Sequence, residues 1–263
     1  MQQATQIRFD DGAAYEEFMG TWSRLAGDDF VRWLDPAPGW RWLDVGCGNG
    51  AFTAMLVDRC APVAVDGIDP SAEQVAYARQ RLASESVRFD VGDAMALPYA
   101  DAAFDAAVMA LVIFFVPDPA RSVAEMARVV KPGGSVSAYA WDILGGGFPY
   151  AALQEEMSKL AATPQWPPSI EASRMETMRA LWSGAGLTRI ETREITVTRT
   201  FADFDSFWKI AQTGPRLAAS IAAMPADDRR ILSDRLRARL SADAGGRITC
   251  SASANAIKGH VPS

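Results

Sequence analysis

The segment Asp44-Val45-Gly46-Cys47-Gly48-Asn49-Gly50 constrains this chain more than any other. It follows a short apolar run, Trp40 to Val45, that reads as a strand. It precedes Ala51 to Arg59, where Phe52, Met55 and Leu56 recur at helical spacing. Glycines at a strand-to-helix turn let the backbone adopt positive φ and pass close to a ligand. The first strand's carboxyl end is therefore the place to look for a site.

The same alternation continues along the chain. Pro62 to Ile68 reads as a second strand, and the Asp69-Pro70 step opens a helix through Leu82. Ser86 to Val91, Phe104 to Ala110 and Ser135 to Ala140 read as further strands, the fourth nearly all apolar, as a strand buried on both faces should be. Pro119 to Val130 reads as a helix closed by the turn Lys131 to Gly134. This order predicts an α/β, doubly wound, mostly parallel sheet with ligands outside the carboxyl ends of its strands. Leu187 to Thr200 and Arg247 to Ile257 alternate like exposed or edge strands, with a helical pattern between them. One domain, 1–263, is expected. Within it, 1–38 forms a helical cap, 39–142 the cofactor-binding core, 143–186 a connecting helical segment and 203–245 a helical lid.

Composition removes several alternatives. With 26 basic and 32 acidic side chains the net charge is −6, which disfavours an extended nucleic-acid groove. The apolar run Ala106 to Val116 is too short to span a membrane, and MQQATQIRFDDG carries no signal-peptide core. A soluble, cytoplasmic protein is expected. Three scattered cysteines write neither a disulfide framework nor a metal site, and the one histidine, His260, argues against a His-based triad.

The acids choose between cofactors. A dinucleotide turn reads G-x-G-x-x-G and holds a pyrophosphate at its helix N-terminus. Here the glycines alternate and Asp44 opens the motif, which opposes a pyrophosphate and favours a cation. S-adenosylmethionine offers an ammonium and a sulfonium without phosphate. Asp69, ending the second strand, suits ribose hydroxyls, and Asp93, after the third, suits an adenine amino group.

In combination these segments resemble a class I S-adenosylmethionine-dependent methyltransferase of the ubiquinone/menaquinone-biosynthesis-like, methyltransferase type 11 group. The resemblance is carried by WLDVGCGNGAFT, VDGIDPSAEQVAYAR, VGDAMALPYADAAFD and RVVKPGGSVSAY, over roughly residues 40–142. It implies a Rossmann-like, seven-stranded sheet whose last strand is antiparallel, with the lid inserted between the last two strands. It implies that Gly46, Gly48 and Gly50 line the methionine and ribose, with Asp44 near the amino group. Asp69 would bind the ribose, and Asp93 with Ala94 the adenine; Cys47, Pro70 and Met109 belong to the same cofactor set. In the segment before the first strand, Arg24 would pair with the methionyl carboxylate and Tyr15 close over the sulfonium. The same segment also reads as an amphipathic helix burying Phe18 and Trp22, with Arg24 in solvent.

Methyl transfer at a sulfonium needs alignment and dryness more than acid–base groups. The expected product cofactor is S-adenosyl-L-homocysteine. Phe114, Phe115, Trp141, Phe148, Phe207 and Trp208 are the candidate acceptor contacts, and Tyr150 and Trp166 could join them; each also reads as core or lid packing. Asp142 is the candidate base, or an ordinary surface-turn residue. The fourth strand ends in Met109-Ala110-Leu111-Val112, which lacks the Pro-Pro-aromatic ending of amino-methylating DNA enzymes. A small, partly apolar organic acceptor is expected. The competing readings are a nicotinamide-dependent oxidoreductase on the same sheet and a non-catalytic S-adenosylmethionine-binding module.

Overall fold

The computed structural model describes residues 16–160 and 166–263. Its strands are β1 (Arg41–Val45), β2 (Ala64–Asp69), β3 (Val87–Val91), β4 (Phe104–Ala110), β5 (Val130–Trp141), β6 (Thr188–Phe201) and β7 (Ile248–His260). They form one seven-stranded sheet in the order β3-β2-β1-β4-β5-β7-β6. The first five run parallel, and β7 is antiparallel to both β5 and β6. Strand order reverses between β1 and β4, so the turn at Gly46 to Gly50 sits at the switch point, where open α/β sheets bind ligands.

Alternate side chains of β1 enter opposite core layers. Trp42 joins the layer beneath α1 (Thr21–Leu34), α2 (Ala51–Cys60) and α3 (Ala72–Arg81), with Trp22, Phe30, Phe52, Leu56 and Val75. Leu43 and Val45 join the layer beneath α4 (Pro119–Val129), with Met109, Val123 and Met126. Asp118 caps α4 by accepting the Arg121 N–H at 3.1 Å, and Pro119 starts it without wasting a donor.

Two expectations need correction. Lys131 to Gly134 are part of the β5 span, bulged between the pairs Phe104–Val130 and Ala106–Ser135. Gly134 permits this, since an added Cβ would lie 2.6 Å from the Asp105 carbonyl oxygen. The Arg247 to Ile257 pattern, read as an exposed or edge strand, belongs to β7, which is interior. Its Ala252, Ala254, Ala256 and Ile257 are buried, and buried Asn255 donates to the Ser173 carbonyl at 2.9 Å. Thr249 and Ser251 on its first half are exposed, as the alternation implied, while from Ala254 to Ile257 both faces are covered.

After β5 come α5 (Ala151–Ser158) and α6 (Met175–Gly184); between β6 and β7 come α7 (Phe204–Ala211), α8 (Pro215–Ala223) and α9 (Ala226–Arg239). Arg239 ties α9 to α5, reaching Glu155 at 2.6 Å and the buried Glu156 at 3.3 Å. No helix among the described residues is long and apolar enough to cross a membrane. His260 pairs with Ser135 at the amino end of β5, the far end of the sheet from the glycine turn.

Candidate active site

Gly46, Gly48 and Gly50 have φ of 77°, 51° and 77°. The turn is pinned to β2 by the Gly46 and Cys47 N–H groups, which donate to the Ile68 carbonyl at 2.7 and 3.1 Å. At Gly46 an added Cβ would lie 2.5 and 2.6 Å from the two Val112 methyl carbons. At Gly50 it would meet the Ala78 Cβ at 3.1 Å, which is where α3 packs against the turn. At Gly48 nothing lies within 4 Å, so that part of the turn is open to a ligand.

Two carboxylates border it. Asp44 is fully buried, and its Oδ2 accepts the Thr53 hydroxyl at 2.6 Å. Its Oδ1 is buried with no hydrogen-bond partner among the described residues. Burial pushes the Asp44 carboxyl up to about 7; the Thr53 hydrogen bond opposes this and the charge of Asp69 adds to it. Asp69 accepts the Gly48 N–H at 3.0 Å and the Ser71 N–H at 2.9 Å, one on each oxygen. Burial raises its pKa as well, and the Ser71 and Gly48 amides hold it back. Burial, reinforced by Asp44 and Asp69, pushes the Cys47 thiol well above its ordinary range, so no thiolate nucleophile stands in the turn. Among the described residues neither carboxylate has an ion-pair partner, and no group of three or more His, Cys, Asp or Glu side chains could hold a metal. A buried acid with an orphaned oxygen beside a second, half-buried one fits a cationic ligand.

The structure places the other cofactor candidates unevenly. Asp93 is exposed after β3, and its Oδ1 accepts the Met95 N–H at 2.8 Å; Ala94 beside it is half-buried, and Pro70 is exposed after Asp69. Met109 lies wholly in the opposite core layer, with the Ser122 hydroxyl 3.9 Å from its sulfur. The residue after β4 that closes on the turn is Val112, which follows Leu111. Leu111 holds φ of 62°, rare for a leucine, and its N–H donates to the Tyr139 carbonyl at 2.8 Å. Arg24 is exposed, whereas Phe18 and Trp22 are buried. Tyr15 lies outside the described residues.

The aromatic candidates divide between the two layers. Phe114 and Phe115 sit in the α4 layer, ring to ring at 4.5 Å, under a segment whose Ser169 N–H donates to the Phe114 carbonyl. Trp141, Phe148, Phe207 and Trp208 belong to the other layer, the one containing Trp42 and covered by α1. There Tyr150 is the hub: its ring stacks on Phe18 at 4.3 Å and meets Phe207 at 5.9 Å and Phe148 at 6.1 Å. Its hydroxyl donates to the Phe18 carbonyl at 2.9 Å, and burial pushes its pKa up to about 12. The Phe18 ring also fills the space over Gly214, where a Cβ would lie 2.6 Å away. Trp208 stacks on Phe204, and Trp166 is exposed. Asp142 orders its own turn, accepting the Gly145 N–H at 3.1 Å.

Sequence reasoning missed Thr53 and Val112. A lone hydroxyl on the buried face of an otherwise apolar helix start was the available signal for Thr53. Nothing local marked Val112, whose role comes from β4 lying next to β1.

Residues 43–138 match the model of the methyltransferase type 11 family, described as a methyltransferase domain. Over 108 residues the chain is 42% identical to methyltransferase GfsG of Streptomyces halstedii, covering 40% of this chain and 38% of that one. Over 96 residues it is 41% identical to the demethylmenaquinone methyltransferase of Deinococcus radiodurans, covering 36% and 40%. The chain thus spans about two fifths of the length of these curated relatives. Among solved structures, phosphoethanolamine N-methyltransferase 2 of Haemonchus contortus, in complex with S-adenosyl-L-methionine, superposes with a TM-score of 0.61 at 20% identity, over 99% of this chain and 59% of that one. Glycine turn, switch point and sheet order all lie in the matched segment or frame it, and it is over residues 43–138 that the chain is similar to the methyltransferase domain of the type 11 family.

Proposed function

We propose that this chain transfers a methyl group from S-adenosyl-L-methionine to a small, partly apolar organic acceptor. The observation that carries the reading is Asp44 Oδ1, a buried acceptor without a donor beside an open glycine turn. A pyrophosphate would meet the buried Asp44 and the half-buried Asp69 there, which disfavours a nicotinamide cofactor. The relatives and the solved neighbour named above are methyltransferases by name, which supports the same reading.

S-adenosyl-L-methionine, when bound, supplies a sulfonium methyl that a nucleophile displaces in line, the S–C electron pair returning to sulfur as the new bond forms. Asp44 would hold the ammonium through Oδ1. Asp69 keeps lone pairs free beyond its two amide bonds and would accept from the ribose, with Asp93 and Ala94 further out for the adenine. The turn glycines let the backbone approach closely. The aromatic layer around Tyr150 would exclude water from the transfer. We infer that 1–38 acts as a cap and 203–245 as a lid, and that the acceptor is no nucleic acid. The acidic balance and the lack of a membrane-length helix among the described residues support a soluble, cytoplasmic setting.

Titration calorimetry tests the reading. S-adenosyl-L-methionine and S-adenosyl-L-homocysteine are expected to bind and NADH is not; binding of NADH alone would overturn it.

A further inference from the structure

We propose that β6 joins the β6 of a second copy of this chain edge to edge, antiparallel and centred on Thr192, so that two seven-stranded sheets become one. The pairing stands apart from the methyl-transfer reading, and its test reads no activity.

β3 and β6 are the two outer strands of the sheet. An outer strand offers unpaired backbone groups to any other strand, and proteins blunt such edges with short length, proline, charge or a covering group. β3 is blunted twice. It is five residues long, and Arg79 of α3 donates through Nε to the Phe89 carbonyl at 3.0 Å. That carbonyl points outward, because the alternate positions Ser86 and Gly92 turn toward β2 and bond Val65 and Asp69 there. β6 differs on both counts. It runs 14 residues without a proline, and its one register shift is confined to Thr188–Glu191, at its start.

The ladder shows which backbone groups of β6 face out. The Asp142 N–H donates to the Ser253 carbonyl and the Ser253 N–H to the Gly147 carbonyl, both at 2.9 Å; the Val261 N–H donates to the Gly134 carbonyl at 3.1 Å. Ser253, Ile257 and Val261 of this run therefore turn to the β5 side, and β6 residues opposite such positions turn away from β7. Thr196 lies opposite Ser253 and Thr192 opposite Ile257. Thr192, Glu194, Thr196, Thr198 and Thr200 thus present their N–H and carbonyl groups to the outside. Among the described residues no hydrogen bond reaches those groups. Arg179 of α6 donates to the Thr192 hydroxyl, which holds that side chain over a sheet face, clear of the edge.

The charges of β6 choose the occupant, because they complement their own copy. With Thr192 opposite Thr192, Glu191 meets Arg193 of the partner subunit and Arg193 meets Glu191 of the partner subunit. These flank the hydrogen-bonded Thr192 pair, so they are non-hydrogen-bonded pairs, whose side chains approach most closely. Both side chains are exposed. Glu191 has only a 3.6 Å approach from Lys258, and Arg193 has no ion-pair partner among the described residues. Glu194 and Arg189 would meet Ile190 and Ile195, so no like charges face each other. Centring on Glu194 would set that carboxylate against its own copy, and centring on Thr196 would set Arg193 against Arg199.

Sedimentation velocity on the full chain tests this, with Glu191→Arg, Arg193→Glu and the double reversal. All three change exposed side chains, and circular dichroism checks that each folds. The natural chain is expected to be a dimer. Either single reversal sets like charges face to face twice per dimer and should weaken association roughly tenfold or more. The double reversal recreates both opposite-charge pairs and should restore the dimer. A monomeric natural chain overturns the proposal. So does a dimer that the single reversals leave intact, which would form through another surface, or a double reversal that fails to restore association.

Discussion

The Thr53 hydroxyl donates to Asp44 Oδ2 at 2.6 Å and leaves Oδ1 of the same carboxylate buried and unpaired. One half of the acid is fixed by α2 and the other half is kept for a ligand. Helix and strand together therefore define both where the carboxylate points and how readily it ionises.

The first consequence concerns pH. Burial lifts the Asp44 carboxyl from an ordinary value of 3.8 to about 7. Between those values the folded protein holds a proton that the unfolded chain has lost. The resulting stabilisation is full below the ordinary value and is lost as pH rises through about 7. A shift of this size corresponds to about 4 kcal/mol in order of magnitude. A cationic ligand needs the carboxylate, so its affinity should rise with pH and level off above neutrality. Calorimetry at pH 6 in buffers of different ionisation heat should show proton release on S-adenosyl-L-homocysteine binding. Asp44→Asn should abolish that release and weaken binding.

Thr53→Val should remove the one hydrogen bond that favours the ionised form of Asp44. The expected outcome is a further rise in the Asp44 pKa, weaker cofactor binding at pH 7 and a smaller deficit at pH 9. Thr53→Ser, which keeps the hydroxyl, should restore most of the affinity. Titrations of the three proteins at both pH values check this; a deficit independent of pH would mean the hydroxyl acts by packing alone.

How far the sequence revealed this site follows from the range of each signal. The glycine turn, Asp44 and Asp69 were legible because strand, turn and helix are adjacent in the chain, and local patterning reports local geometry. Phe114, Phe115 and Met109 were harder, since they end or follow a strand buried on both faces and composition cannot say which layer a side chain enters. The interior position of β7 was hidden for the same reason: Ala252, Ala254 and Ala256 alternate with polar residues, and their small size conceals full burial. Val112 depends on β4 pairing with β1, a contact between residues some 60 apart that no window of sequence contains.

Asp69→Ala should act twice. It removes a ligand contact, and it frees the Gly48 and Ser71 amides that the carboxylate now joins at 3.0 and 2.9 Å. Loss of charge-assisted hydrogen bonds of this kind is worth about 1.5–3 kcal/mol. S-adenosyl-L-homocysteine affinity should therefore fall about tenfold or more, with a lower melting temperature even without ligand. Calorimetry and thermal melts separate the two effects. Lost affinity with an unchanged melting temperature would show that Asp69 does not hold the turn.

Gly46→Ala places a methyl group where the backbone and a neighbour both resist it. The position has φ of 77°, and its Cβ would lie 2.5 and 2.6 Å from the Val112 methyl carbons. Left-handed backbone strain at a residue with a side chain is on the order of 1–2 kcal/mol, and the clash adds to it. Val112→Ala removes both clashing methyl carbons and leaves the φ strain in place. The double variant should then be less destabilised than the sum of the two single variants, because close neighbours do not add. Denaturant melts of the four proteins measure that coupling. Simple additivity would mean that Val112 yields freely and that the turn tolerates its roof moving, which would remove Val112 from the set of residues that shape the cofactor turn.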